Sequence, residues 1–273
     1  MSGSGPGAII TGAGIAPAKV NLSLHVTGRR MDGYHLLDSL VAFADIGDHL
    51  TVTPGDGLTV TGPFAAGVPT DDTNLIRRAL ALAGVRRAVT LDKRLPHPAG
   101  LGGGSSDAAA VLRLVGANLT LEEVLSLGAD VPVCLLGRAA RMEGIGEIVV
   151  PVDLPRLSAV LVNPGVPAPT AEVFARLETR DNPAMSAVPR FLKRLDLIRW
   201  IGQQRNDLEV AARNVQPIIS EVLQALRASG AGLARMSGSG ATCFGLYADD
   251  RAALSATSRL RRSGWWVAAC TLT

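Results

Sequence analysis

Aromatic residues are scarce in this chain of 273 residues, with five Phe, three Trp and two Tyr. Rings therefore cannot dominate the core, which must be built mainly from Ala, Val and Leu. Cysteine is rarer still. Cys134, Cys243 and Cys270 are far apart and each lies in an apolar run, which excludes a disulfide framework and predicts reduced, buried thiols of a cytoplasmic protein. No Cys or His spacing matches a metal-ligand pattern, so no metal site built by the protein is expected. No apolar run is long enough to span a bilayer, and residues 1–15 lack the basic start and long apolar stretch of a leader peptide. They read as a flexible Gly-rich tail. Charge of one sign is also missing, since 27 Lys and Arg stand against 24 Asp and Glu for a net +3. Basic residues are scattered, with nothing longer than short runs such as those at 29–30, 77–78, 86–87 and 261–262. A nucleic-acid surface is not expected, whereas an anionic small substrate is compatible with that balance.

What the chain has in abundance is glycine, and residues 98–112 (PAGLGGGSSDAAAVL) concentrate it ahead of a run of small helix-forming residues. Gly100, Gly102, Gly103 and Gly104 permit backbone angles that let consecutive amides turn toward one anion. Ser105, Ser106 and Asp107 offer N-cap chemistry to a helix whose free amides and dipole also favour negative charge. No Gly-Lys-Ser/Thr follows, so this is not a P-loop. A dinucleotide fingerprint fails as well. Glu122 and Glu123, at the right distance for a ribose ligand, fall in a segment that reads as a helix opened by Thr120 and not as the end of a strand. A plain glycine turn before a capped helix remains an alternative for the loop taken alone.

Residues 18–26 alternate strictly, Val20, Leu22, Leu24 and Val26 against Lys19, Asn21, Ser23 and His25, which predicts a strand with a core side and a polar side. A turn-rich loop over 28–35 precedes strands at 36–43 and 49–53, and a hairpin is expected within 54–67. Then come a helix at 74–82, a strand at 88–91, the glycine loop with its helix, and the Thr120 helix. A turn at 128–132 leads into 133–136. Strands at 139–143 and 147–152 flank a Gly144–Gly146 turn, and another strand covers 157–162. The remainder reads as a helix at 171–177, interrupted helices over 189–226, and strand, Gly-Ser turn, strand, helix and strand from 233 to 271. This order predicts an α+β fold.

Two residues could carry phosphoryl-transfer chemistry if the loop holds a nucleoside triphosphate. Asp130 sits in a Gly-Ala-Asp-Val-Pro turn, where its carboxylate could accept a proton, although an ordinary helix N-cap is the other reading. Lys19 is the cation on the polar side of the first strand and could hold that carboxylate ionised, or it could be an ordinary strand lysine. Tyr34 and His35 close a glycine turn, an unusual place for a scarce aromatic in the core. Phe174, by its spacing to Val173 and Leu177, fits a plain helix face.

Four segments occur in order: 16–35 (APAKVNLSLHVTGRRMDGYH), 98–110, GADVP at 128–132 and GSGATCF at 238–244. Together they resemble the GHMP small-molecule kinases, and the first is similar to the branch that phosphorylates 4-diphosphocytidyl-2-C-methyl-D-erythritol. The resemblance implies two α+β domains with the site between them, an N-terminal ATP-binding domain at 16–158 (ribosomal protein S5 domain 2-like) and a ferredoxin-like domain at 159–273. It implies ATP as donor with Mg2+, and transfer to the 2-hydroxyl of that substrate in non-mevalonate isoprenoid precursor synthesis. Homoserine or mevalonate kinases of the same superfamily, or a non-catalytic nucleotide-binding module, are the alternatives. Asp130 is implied as the base and Lys19 as its charged partner. Pro98, Ala99, Gly100, Leu101, Gly102, Gly103, Gly104, Ser105 and Ser106 are implied to hold ATP, with Asn74 shaping the adenosine pocket. Tyr34, His35 and Phe174 are implied as a cytidine site, with Asn21 and Thr170 on the methylerythritol side. The second glycine loop, 237–240, is implied to pack beside the phosphates and help exclude water.

Overall fold

One long strand organises the N-terminal half of the computed structural model, which describes residues 11–273. Strand β3 (His35–Thr53) carries apolar residues at most of its positions and pairs along both edges. On one edge lie β1 (Gly12–Asn21) and then β2 (His25–Arg29), both antiparallel. On the other edge β5 (Ala88–Asp92) covers 49–53 and β6 (Ala140–Gly144) covers 37–41. The sheet is completed by β4 (Gly57–Thr61), parallel to β5, and β7 (Ile148–Pro151), antiparallel to β6. Helices α1 (Leu75–Leu82), α2 (Gly103–Leu114), α3 (Leu121–Leu127) and α4 (Val131–Leu136) accompany it.

The C-terminal half has a second antiparallel sheet in the order β11 (Trp266–Leu272), β8 (Leu157–Asn163), β10 (Cys243–Tyr247), β9 (Leu233–Met236). Its helices are α5 (Thr170–Ala175), α6 (Arg194–Gln203), α7 (Glu209–Val215), α8 (Ile218–Ala228) and α9 (Asp250–Leu260). The two sheets meet where Leu272 pairs with Ala44 and where Phe43 and Thr273 exchange backbone hydrogen bonds. One apolar cluster spans that seam. It joins Ala18, Val20, Leu22 and Leu40 to Leu161, Phe244, Leu246 and Leu272, with Leu95 and Leu101 from the glycine loop region.

Several local expectations change. The tail expected over 1–15 lies outside the described residues up to 10, but Gly12 to Ile15 already pair with 49–52 as strand. No hairpin forms within 54–67, because β4 pairs in parallel with β5, a partner about thirty residues away. The two strands expected at 36–43 and 49–53 are one continuous β3. The strand expected at 18–26 breaks after Asn21, where the amides of Leu22 and Ser23 both reach the Leu40 carbonyl. Its polar side is buried too, with Lys19, Asn21, Ser23 and His25 all nearly inaccessible. The boundary expected between 158 and 159 falls inside β8, whereas the change of sheet lies between Pro151 and Leu157. Among the described residues no helix is long and apolar enough to cross a membrane.

Candidate active site

The glycine loop gives α2 an N-terminus with no side-chain cap. Gly102 occupies the N-cap in a left-handed conformation, φ 62° and ψ 21°, which only glycine adopts freely. The expected caps are instead inside the helix. Ser106 Oγ donates to the Pro17 carbonyl at 2.7 Å, and Asp107 binds Lys93. Without a capping side chain the first-turn amides stay available to an outside anion, which makes a better cradle than the capped helix expected.

Beneath this loop runs β1. The Lys19 amide donates to the Leu101 carbonyl at 2.9 Å, and a Cβ on Gly102 would lie 3.2 Å from Lys19 Cε. The loop therefore rests on the lysine side chain. Lys19 Nζ is 2.8 Å from Asp130 Oδ2, with the lysine side chain 5% exposed and the aspartate 31%. Asp130 is at the N-cap position of α4 yet makes no capping bond, so its carboxylate serves the lysine and the cleft. The turn at 128–132 leads into helix here because Pro132 suits the first turn of α4.

A cleft of about 470 Å³ opens above this pair. Its walls include Lys19, Asn21 and residues 98–105 of the N-terminal half, and Thr170, Phe174, Gly238 and Ser239 of the other half. The second glycine loop closes against the first: Ser237 Oγ donates to the Gly100 carbonyl at 2.9 Å and accepts from the Asn21 amide at 3.1 Å. Ser239 Oγ and Thr170 Oγ1 are 2.8 Å apart.

Asn21 has a forced orientation. Ser39 Oγ spends its proton on the Ser23 carbonyl at 2.6 Å, so it accepts from Asn21 Nδ2 at 2.8 Å. Asn21 Oδ1 is thereby left buried without a partner among the described residues. A buried acceptor of this kind is costly unless a ligand hydroxyl or amine supplies the proton.

The expected cytidine residues are only partly together. Phe174 lines the cleft and stacks on His35, with ring centroids 4.6 Å apart and planes at 27°. Tyr34 and His35 are not among the cleft-lining residues. Tyr34 is 60% exposed on the turn between β2 and β3 and faces neither ring. Burial, then Arg29 and Arg180, hold the His35 imidazole below its ordinary pKa, so it is neutral near pH 7, and its Nε2 is buried without a partner among the described residues. Asn74 caps α1: its Oδ1 accepts from the Ile76 amide at 2.8 Å and its Nδ2 donates to the Pro69 carbonyl at 2.7 Å. Leu75, the next residue, is the one that reaches the cleft. Ser106, committed to Pro17, does not line it either.

Sequence reasoning missed a buried triad under the loop. Lys93 Nζ contacts Asp48 Oδ2 at 2.5 Å and Asp107 Oδ2 at 2.8 Å. Asp48 Oδ1 also accepts from the amides of Arg94 and Leu95, which begin the loop segment. The signal was a lysine in a buried register two residues after Leu91, easily passed over because nothing local shows its partners.

The fold and the cleft together define a GHMP kinase. The model for the GHMP kinase N-terminal domain matches residues 73–138, and that for the GHMP kinase C-terminal region matches 189–264. Full-length relatives narrow the class. A 4-diphosphocytidyl-2-C-methyl-D-erythritol kinase of Dinoroseobacter shibae is 56% identical, covering 94% of this chain and 93% of its own. One from Paracoccus denitrificans is 53% identical, covering 93% and 94%. A crystal structure of 4-(cytidine 5'-diphospho)-2C-methyl-D-erythritol kinase superposes with TM-score 0.78 at 37% identity, covering 96% of this chain and 99% of that one. The homoserine kinase of Cytophaga hutchinsonii, at 17% identity and TM-score 0.65, shares the fold alone. The chain belongs to the family of 4-diphosphocytidyl-2-C-methyl-D-erythritol kinases.

Proposed function

We propose that this chain transfers the γ-phosphoryl group of ATP to the 2-hydroxyl of 4-diphosphocytidyl-2-C-methyl-D-erythritol, yielding the 2-phosphate and ADP. The observation that carries the reading is the Lys19–Asp130 pair, 2.8 Å apart in a cleft walled by the uncapped N-terminus of α2. Asp130 accepts the hydroxyl proton as the oxygen attacks phosphorus and the bond to the leaving ADP oxygen breaks. Lys19 pairs with Asp130 beforehand and offsets charge on the phosphoryl oxygens during transfer. The amides of Gly103, Gly104 and Ser105 face the triphosphate, with Pro98, Ala99, Gly100 and Leu101 forming the rest of the cradle. Asn21 Oδ1 accepts from a hydroxyl of the acceptor, and Thr170 with Ser239 borders the same side. Phe174 offers a ring face to the cytosine, with His35 as a polar edge and Tyr34 closing from the exposed turn when substrate arrives.

Mg2+ is expected to travel with ATP. Among the described residues no group of three His, Cys, Asp or Glu side chains is placed to hold a metal. An ion held by phosphate and water oxygens would offset phosphate charge, and no step above depends on its position. Three buried free thiols suit a reducing, cytoplasmic setting. The homoserine and mevalonate alternatives are not favoured by relatives matching at 48–56% identity.

The test is ADP formation from ATP with the cytidylated substrate, homoserine and mevalonate offered separately. Turnover confined to the first is expected, and turnover confined to either of the others would overturn the assignment. Asp130→Ala should cut kcat about a thousandfold while retaining ATP binding. Near-parental turnover in that variant would remove Asp130 as base.

A further inference from the structure

The Lys93 triad holds two carboxylates against one ammonium, almost wholly out of water. Lys93, Asp48 and Asp107 side chains are 3%, 0% and 5% exposed. Both contacts of Lys93 are to one oxygen of each aspartate, and the remaining oxygens differ. Asp48 Oδ1 has two backbone amides, whereas Asp107 Oδ1 is buried with no partner among the described residues. An orphaned anionic oxygen is the costly member of such a cluster, and a proton on it removes the net charge. The location is as specific as the charge count. Asp107 is in the second turn of α2, and a Cβ built on Gly103 would come within 3.1 Å of Lys93 Nζ. The triad thus lies directly behind the amides that face the cleft.

We propose that Asp107 is a proton-linked positioning residue of the phosphate loop: it takes a proton from solvent as a triphosphate settles on the α2 N-terminus, so that the buried triad becomes neutral behind the incoming charge. The inference rests on the reading of this loop as the ATP site. A polyanion placed against a cluster of net charge −1 raises the energy of the ionised form, and protonation is the available relief, because Lys93 is already shared. Burial, augmented by the charge of Asp48 and opposed by that of Lys93, already lifts Asp107 to about 7, so the proton is within reach at physiological pH. Lys93 is charged at the outset, because Asp107 and Asp48 outweigh its burial, and it keeps Asp48 as its ionic partner once Asp107 is neutral.

Other groups facing α2 cannot substitute. From β1 comes Lys19, paired with Asp130. From α4 comes Cys134, whose thiol burial pushes up. From β3 comes Asp48 itself, while α1 turns Ile76, Ala79 and Leu80 inward and keeps Arg77 and Arg78 on surface partners.

The test compares binding of the non-hydrolysable analogue AMP-PNP with Mg2+ between the parent and Asp107→Asn, which keeps shape and stays neutral. Equal affinity is expected near pH 6, and binding about threefold to tenfold tighter for D107N at pH 8.5, as expected for one unit charge a few ångströms behind the phosphates. Calorimetry in buffers of different ionisation enthalpy should show proton uptake by the parent in excess of D107N. Carboxyl NMR of the parent gives a readout independent of the variant: one aspartate should titrate near neutrality and shift upward with the analogue. A parent-to-variant affinity ratio constant with pH, or no aspartate that moves on binding, overturns the inference while leaving the ATP site intact. Absence of analogue binding by the parent at every pH overturns the ATP-site reading as well.

Discussion

Lys19 in β1 and His25 in β2 are both buried, and the chain gives them opposite partners. Lys19 is given a carboxylate partner in Asp130 at the cleft. His25 is given a donor. Its Nε2 accepts from the Arg205 amide at 3.1 Å, and its Nδ1 lies 3.3 Å from the Pro183 carbonyl and 3.2 Å from the Arg205 guanidinium. Burial and then Arg205 hold its pKa below the ordinary 6.5, with weaker opposing pulls from the Pro183 carbonyl, Asp207 and Asp38. The sign of the consequence follows from proton counting. Below about pH 6.5 the unfolded chain binds a proton that folded His25 refuses, so its contribution is intact above that pH and lost as pH falls through the folded value. Asp107, raised by burial, works the other way, its contribution being full at low pH and lost as pH rises toward about 7. His25→Gln keeps an acceptor for the Arg205 amide and removes the titration. Thermal melts at pH 7.5 and 5.0 should therefore show a smaller acid loss for H25Q than for the parent. An equal or larger loss in the variant would contradict the assignment.

At the scale of elements, the site depends on two loops meeting, and their glycines are not equivalent. Gly100 has φ +70°, and a Cβ there would run into the Ser237 carbonyl and come within 2.9 Å of the Gly240 carbonyl. Gly104 is helical, and its Cβ would meet only Leu75 Cδ1 at 3.6 Å, an ordinary contact. Gly100→Ala should destabilise the fold by about 1–3 kcal/mol and weaken AMP-PNP binding, whereas Gly104→Ala should be near neutral in stability, both read from denaturant melts and titrations. If the two variants behave alike, the loops do not depend on that approach. The same elements show how far sequence carries. The helix opened by Thr120 was legible, because its cap is written within four residues, whereas the capping role of Asn74, expected at the adenosine pocket, was not. The order of most strands and helices was legible from periodicity. The parallel pairing of β4 with β5 was not, since nothing in 57–61 names a partner at 88–92. Nor was Asp107, whose place after two serines mimics a cap while its actual partners come from β3 and the residue after β5. The site itself was legible as motifs but not as geometry. Asp130 meets Lys19 from the N-cap position of α4, and the ring stacked on Phe174 is His35 and not Tyr34.

For the whole molecule, the question is whether the halves melt separately. Expected domains at 16–158 and 159–273 suggest two units, yet the cluster spanning the seam draws on β1, β3, β8, β10 and β11 together with Leu95 and Leu101. Phe244 is a member of that cluster. It is fully buried, pairs with Leu161 across to β8 and with Arg235 in β9, and belongs to the same cluster as Val20, Leu22 and Leu40. Arg235 ties the seam further by donating to the Leu22 carbonyl at 2.9 Å and to carbonyls at Ile201 and Gln204. Separating the halves would expose this apolar surface and strand those donors, a cost that neither half recovers alone. We therefore expect one cooperative transition, with near-ultraviolet and far-ultraviolet signals coincident in denaturant. Phe244→Ala should lower the stability of that single transition by about 3–5 kcal/mol through lost burial and a residual cavity. It should do so without splitting the transition, because the cavity weakens both sheets at once. A variant that melts in two steps, with the N-terminal half keeping its parental midpoint, would show that the halves are independent. The cleft would then be held by binding alone and not by a shared core.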